Sequence, residues 1–256
     1  HVQANLGMDK IQGSGKDEFS PLSATNYQTG GRRTEYKQGK SNTLIDLSLY
    51  YEKKLGKNSS IDVLAGHSYQ DFYTDVYNYP SYSVTGDTAI AGTQPTFKTD
   101  KPQFRLESYF GRVNLTLANK YLITGSIRRD ASSKFSKDNR VGYFPAAAVA
   151  WKMREEFFSK SKVVSDLKLR LGYGVTGQQD IGSYYSYLPV YGVSSSTAQY
   201  QFGNQFYPFI RPNAYDANIK WETTTTTNVG LDFGFANDRI TGSLDFYRKE
   251  TKDLLS

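Results

Sequence analysis

The sequence predicts an all-β, antiparallel, up-and-down fold whose strands cross a membrane as part of a barrel wall. Three observations point there. Short segments alternate between apolar and polar residues. The connections between them are by turns tight and long. In two hairpins the apolar face ends at an arginine after the same length of strand.

Composition agrees. The 256 residues include 21 Tyr, 15 Phe and 22 Gly, a mixture suited to strands and turns. Hydrophobic residues make up only 38%, and no apolar run reaches the roughly 18 residues of a membrane helix. A transmembrane barrel needs none, because its strands appear as weak alternating segments of about ten residues. The absence of cysteine excludes a disulfide framework and thiol catalysis. The net charge of +6 is spread without a basic block, so no nucleic acid partner is indicated. "HVQANLGMDK" lacks the charged start and apolar stretch of a signal peptide, and the first residue is not Met, as expected of a mature protein or a piece of one.

In chain order, strands are expected near 43–54, 61–73, 104–117, 121–130, 143–153, 166–176, 221–235 and 240–250. Shorter strand pieces are expected near 184–193 and 198–207, and "REEFFSKSKVV" (154–164) reads as a short helical turn. Residues 1–42 are left as an uncertain barrel or loop segment, with 43–256 as barrel. Connections 55–60, 118–120 and 236–239 are tight, whereas 74–103 and 177–220 are very long. In a meander, odd connections share one end and even connections the other. Tight periplasmic turns opposite long extracellular loops are the outer-membrane barrel pattern. Connection 154–165 is longer than that pattern asks, but it carries the helical turn.

Two hairpins can be put in register. The turn Ala118-Asn119-Lys120 pairs Leu117 with Tyr121, Leu115 with Ile123 and Gly111 with Ile127. The turn at 236–239 pairs Phe235 with Ile240, Leu231 with Leu244 and Val229 with Phe246. In each, the apolar face of the second strand runs from 121 to 127 or from 240 to 246, then meets Arg129 or Arg248. Seven residues span roughly 23 Å before tilt, close to the roughly 25 Å apolar band of such barrels. Thr223, Thr225 and Thr227 continue the outward face past Val229, since threonine keeps strand propensity while accepting water. His67 and Lys53 fall on the apolar face of the first hairpin and fit it poorly.

The stretch "YLITGSIRRDASSKFSKDNRVGYFPAAAVAWKMREEFF" (121–158) resembles the signature block of the SusC/RagA-like TonB-dependent transporters of the Bacteroidetes outer membrane. "LKLRLGYGVTGQQDIGSYYSY" (167–187) and "NIKWETTTTTNVGLDFGFANDRITGSLDFYRKETKDLL" (218–255) resemble two further blocks, in the same order and spacing. Gln178 stands where the family commonly has Asn, and Ala131 where it has Gly. The resemblance implies a 22-stranded barrel filled by an N-terminal plug, of which this chain is a partial wall of about 8–10 strands. Nothing in the chain resembles the plug. It further implies import of glycans, oligosaccharides or peptides across the outer membrane of a Gram-negative bacterium. TonB–ExbB–ExbD would act through the plug, and a SusD-like surface lipoprotein would be the partner.

The loops carry the candidate substrate contacts. Tyr77, Tyr79 and Tyr82 lie in one long connection, and Tyr184, Tyr185, Tyr187 and Tyr191 in the other. Aromatic faces beside Asp and Asn suit sugar or peptide recognition, although loop packing is the plainer role for any one of them. Arg128, Asp130, Ser133 and Phe135 read as an architectural corner, with Arg128 and Asp130 paired on the lumen side. Arg129 and Arg248 face lipid just past the apolar band, as interfacial anchors or as holders of outer-leaflet phosphate. No catalytic constellation, cofactor or metal site is indicated: "GSGKDE" (13–18) fails as a phosphate loop, and His1 and His67 are isolated. The alternative is a soluble or surface all-β carbohydrate-binding or adhesive protein, since sandwich strands also alternate.

Overall fold

The computed structural model describes residues 1–194 and 198–255. Its main sheet is built from β1 (Val2–Phe19), β2 (Arg32–Lys54), β3 (Ser60–Tyr77), the short β4 (Thr99–Asp100), β5 (Gln103–Leu117), β6 (Tyr121–Ser132), β7 (Val141–Lys152) and β8 (Val164–Gln178). Four short strands follow in a loop: β9 (Tyr191–Val193), β10 (Tyr200–Phe202), β11 (Gln205–Tyr207) and β12 (Ile210–Pro212). β13 (Glu222–Phe235) and β14 (Ile240–Lys252) complete the sheet, and one helical turn, α1 (Arg154–Phe157), follows β7. The long strands pair in chain order, each antiparallel to the next, from β1 at one edge to β14 at the other.

The ladder makes the two faces continuous. Phe246, Val229, Leu171, Val149, Ile123, Leu115 and Ile61 stand side by side across β14, β13, β8, β7, β6, β5 and β3. The row on the opposite face holds Tyr247, Asn228, Gly172, Ala148, Thr124, Asn114 and Asp62. There Asn114 donates to Asp62 at 2.7 Å and Thr124 donates to Asn114 at 2.8 Å. Nearer the tight turns, Arg170 reaches both Asp232 at 2.8 Å and Asp245 at 3.0 Å. Apolar outside and hydrogen-bonded polar inside is the arrangement of a membrane barrel wall around a wet lumen. A sandwich would bury the apolar rows instead, and here Ile127, Val229 and Phe246 remain open to the surroundings.

Both hairpin registers stand as the sequence predicts, including Thr227 opposite Arg248. Ala118, Asn119, Ala236, Asn237 and Asp238 all take positive φ, which reverses the chain in few residues. Loop parity also holds: 55–59, 118–120 and 236–239 lie at one end with α1, and 20–31, 78–102, 133–140 and 179–221 at the other.

Residues 1–42, left open by the sequence, are mostly strand: β1 and the first part of β2. They hide because much of this pair lies beyond the apolar face. Past Met8 the outward positions of β1 are Lys10, Gln12 and Ser14, so only the ladder marks the strand. The strand expected over 184–193 shrinks to β9, and that over 198–207 is a small hairpin of β10 and β11. The helical turn is confined to α1. His67 does face outward, where its Nε2 lies 3.2 Å from Glu107 and its ring 4.5 Å from that of Tyr109. A local partner accommodates the misfit.

Candidate functional site

The long-loop end is assembled around a small aromatic core on the lumen side. Phe135 is fully buried, with Phe144 and Trp221 packed at 5.3 Å from one another and Trp221 at 5.3 Å from Phe135. Trp221 donates its indole N–H to the Arg140 carbonyl at 2.9 Å. Ile181 and Ile219 pack on this core from the two ends of the 179–221 connection. The corner leading into it is the one expected: Arg128 bonds Asp130 at 2.7 Å and Ser108 at 2.8 Å, and Ser133 accepts from the Arg105 amide at 2.8 Å. Gly142 is confined by the same core, because a Cβ there would lie 2.5 Å from the Phe144 ring.

Lys134, which sequence reading passed over, is buried to 5% side-chain exposure. Its ammonium lies 4.6 Å from the Phe104 ring centroid, 5.3 Å from that of Tyr184 and 3.0 Å from Asp180. Burying an amine is costly unless it is paired, and this contact supplies both π-faces and a carboxylate. The hydrogen bond from Lys134 holds the Asp180 carboxyl below its ordinary range. Gln178 accepts from the amides of Gln179 and Asp180, so it shapes the turn that presents the carboxylate.

The predicted tyrosines divide into two groups. Tyr77, Tyr79 and Tyr82 come together, with Asn78, Gln94 and Lys98, around a cavity of about 620 Å³ in the 78–102 connection. The loop is folded on itself: the Asn78 amide donates to the Lys98 carbonyl, and Thr93 donates to Ile90 while accepting from the Ser81 amide. Tyr82 also forms a two-way backbone bridge with Arg33, whose guanidinium lies 5.4 Å from the tyrosine ring and 2.9 Å from Asp87. Gly31 lets the 20–31 connection fit beneath: its φ is +82°, and a Cβ there would meet the Phe19 carbonyl at 2.7 Å.

The other group does not join this cavity. Tyr184 packs at 4.9 Å on Phe104, which is itself stacked at 4.4 Å on Phe72. The Tyr185 hydroxyl accepts from the Gln103 amide and donates to its carbonyl, clipping the loop to β5. Tyr187 is half-buried, and Tyr191 is exposed on β9. Arg129 and Arg248 are likewise separate: they lie in different outward rows, and Arg248 is 84% exposed with its nearest carboxylate, Glu250, at 3.6 Å. Among the described residues, no group of three or more His, Cys, Asp or Glu could hold a metal ion.

An antiparallel meander with an apolar outer face, a polar inner face and loops massed at one end defines a segment of outer-membrane barrel. The chain belongs to the TonB dependent receptor-like β-barrel family, whose model matches residues 3–256. It is 44% identical over 262 residues to the TonB-dependent receptor SusC of Bacteroides thetaiotaomicron, covering 100% of this chain and 25% of that protein. It is 32% identical over 216 residues to the TonB-dependent receptor P26 of Formosa agariphila, covering 81% of this chain and 21% of that one. Among solved structures, a RagAB peptide transporter matches with TM-score 0.77 at 23% identity, over 99% of this chain and 28% of that one. A ferric enterobactin receptor, PfeA, matches with TM-score 0.55 at 14% identity, over 98% of this chain and 32% of that one, a likeness of fold alone. The chain thus spans about a quarter of the relatives' length. This is a family of Gram-negative outer-membrane receptors, not of enzymes.

Proposed function

We propose that this chain is part of the wall and capture face of a TonB-dependent importer of glycans, oligosaccharides or peptides. The cavity at Tyr77, Tyr79 and Tyr82 carries this reading. It lies at the long-loop end, the side open to the exterior in such barrels. Aromatic rings offer stacking faces, while Asn78 and Gln94 offer both donors and acceptors. Tyr187 and Tyr191 extend the candidate surface along the second loop, while Tyr184 and Tyr185 position it. The names of the relatives support the import role: one is a receptor called SusC, another a peptide transporter. By the same likeness, a SusD-like lipoprotein would cap the loops, and TonB–ExbB–ExbD would act through a plug. No cofactor and no catalytic step enter this reading.

The test uses the full-length receptor carrying this segment. Oligosaccharide and oligopeptide panels are titrated against wild type and against a Tyr79→Ala, Tyr82→Ala double variant. The expected result is a loss of affinity of about tenfold or more with the barrel still assembled, as two stacking faces are removed. Unchanged affinity for every bound compound would overturn the assignment of the cavity.

A further inference from the structure

The outer wall carries a feature that import does not use. Tyr143, Arg129, Tyr109 and His67 form one outward row across β7, β6, β5 and β3, towards the long-loop end. The next outward row towards the tight turns is Pro145, Ile127, Gly111 and Ala65, and the one after it is Ala147, Gly125, Val113 and Val63. Side chains stand taller on either side of Gly111 and Ala65, with Tyr109 and His67 above them and Val113 and Val63 below. A Cβ on Gly111 would meet only the Leu64 carbonyl, at 3.9 Å. The result is an apolar trough of about 420 Å³ whose lining includes Ala65, Gly111, Ile127, Tyr109, Tyr143 and Arg129.

The charge at its head is free to act. Arg128 is taken by Asp130, and Glu107 by His67 and by the Tyr109 hydroxyl at 2.9 Å. Arg129 rests with its guanidinium 5.9 Å from the Tyr109 ring centroid, with the Glu107 carboxylate nearby, and forms no salt bridge within 4.0 Å among the described residues. A guanidinium over a tyrosine ring, where an apolar wall gives way to polar loops, suits the depth of lipid headgroups. Below it the trough offers apolar depth where a bulkier wall would offer none.

We propose that this trough is a binding site for one phosphorylated lipid of the outer leaflet. Arg129 holds the phosphate with two parallel N–H bonds, Tyr143 flanks the headgroup, and an acyl chain lies along Ile127, Gly111 and Ala65. The occupant is a lipid rather than a free anion because the greater part of the lining is apolar. Arg248 forms no second site: it lies near Glu250 and projects into the surroundings.

Native mass spectrometry of the full-length receptor in detergent tests this, with bisphosphorylated lipid A as the probe. Wild type should retain the probe about tenfold more than Arg129→Ala, since a bidentate charged contact is lost. Gly111→Leu, which fills the trough and leaves the charge alone, should lower retention as well. Arg248→Ala should retain it as wild type does. Dephosphorylated lipid A should bind wild type only as well as the probe binds Arg129→Ala, and inorganic phosphate should not displace the probe. Wild-type retention by both Arg129→Ala and Gly111→Leu would overturn the site. So would an equal loss with Arg248→Ala, which would mean unspecific lipid around the barrel, or displacement by phosphate, which would mean an anion site only. Heat-modified electrophoretic mobility confirms that each variant barrel is closed.

Discussion

The two ends of the sheet are held by different means. At the tight end the chain reverses through backbone conformation, with successive residues at positive φ in 118–120 and 236–239. Trp151 and Tyr121 both donate to Glu156 there, at 3.0 and 2.8 Å, and these bonds keep the Glu156 carboxyl below its ordinary range. At the long-loop end the connections are held by side chains from distant parts of the sequence: Phe135 on Trp221, Lys134 on Asp180, Arg33 on Asp87. The tight end is thus shaped first by local backbone conformation, with single bonds tying neighbouring turns, such as Ala118 to Ser59 and Asp238 to Ser165, whereas the long end is held by side chains packed across it. Substitutions should therefore act locally at the tight end and at a distance at the long one.

The largest expected effect is at the aromatic core. Phe135→Ala removes a fully buried ring and should cost about 3–5 kcal/mol locally. It should release the whole 179–221 connection to protease while leaving the strands protected, as limited proteolysis followed by mass mapping would show. Unaltered cleavage in 179–221 would mean that the loop is anchored elsewhere. Next comes Gly31→Ala, which places a Cβ at positive φ against the Phe19 carbonyl and should cost about 1–3 kcal/mol. Faster hydrogen exchange should then appear in 78–102 as well as in 20–31, because the Gly30 carbonyl accepts from the Thr85 amide and the Ser83 hydroxyl.

A smaller effect of opposite sign belongs to the tight end. Ala236→Gly relieves an L-residue at φ 54° and should stabilise by up to about 1 kcal/mol. A urea titration of the barrel in vesicles should show the gain with no change in the loops. The smallest effect is acid loosening of the Lys134–Asp180 contact. Asp180 is held below its ordinary range in the fold, so its contribution is complete above the unfolded carboxylate value, about 3.9. It is lost as pH falls through the lower folded value. Exchange rates in 179–182 should rise only in that acidic window, and Asp180→Asn should show the raised rate at every pH. A wild-type profile flat down to pH 2 would remove the contact from the loop's support.

The same contrast explains what was legible in the sequence. The hairpin registers follow from turns of three and four residues flanked by alternation, so residues 111–127 and 229–246 disclose their own pairing. β1 did not disclose itself, because beyond Met8 it lies past the apolar face and carries no alternation to find. At the candidate site the three tyrosines of one loop were visible as a cluster. Their support from Arg33, 54 residues from its partner Asp87, was not. Nor did "SSKFS" show that Lys134 is buried, since nothing nearby in sequence supplies its two aromatic rings. The split between Tyr82 in a cavity and Tyr185 in a clip depends on where β5 passes, a matter of the assembled sheet.

β1 pairs with β2 along all 18 of its residues without a bulge. An unbroken ladder contains no hinge. The upper part of this pair, beyond Met8, leaves the apolar band still in strand form and is braced from one side, where β2 pairs with β3 as far as Lys37 and Arg33 bridges Tyr82. A ladder of this kind should pass a displacement of its tip, where Arg32 rests 4.6 Å from the Phe19 ring centroid, on to the wall with little bending.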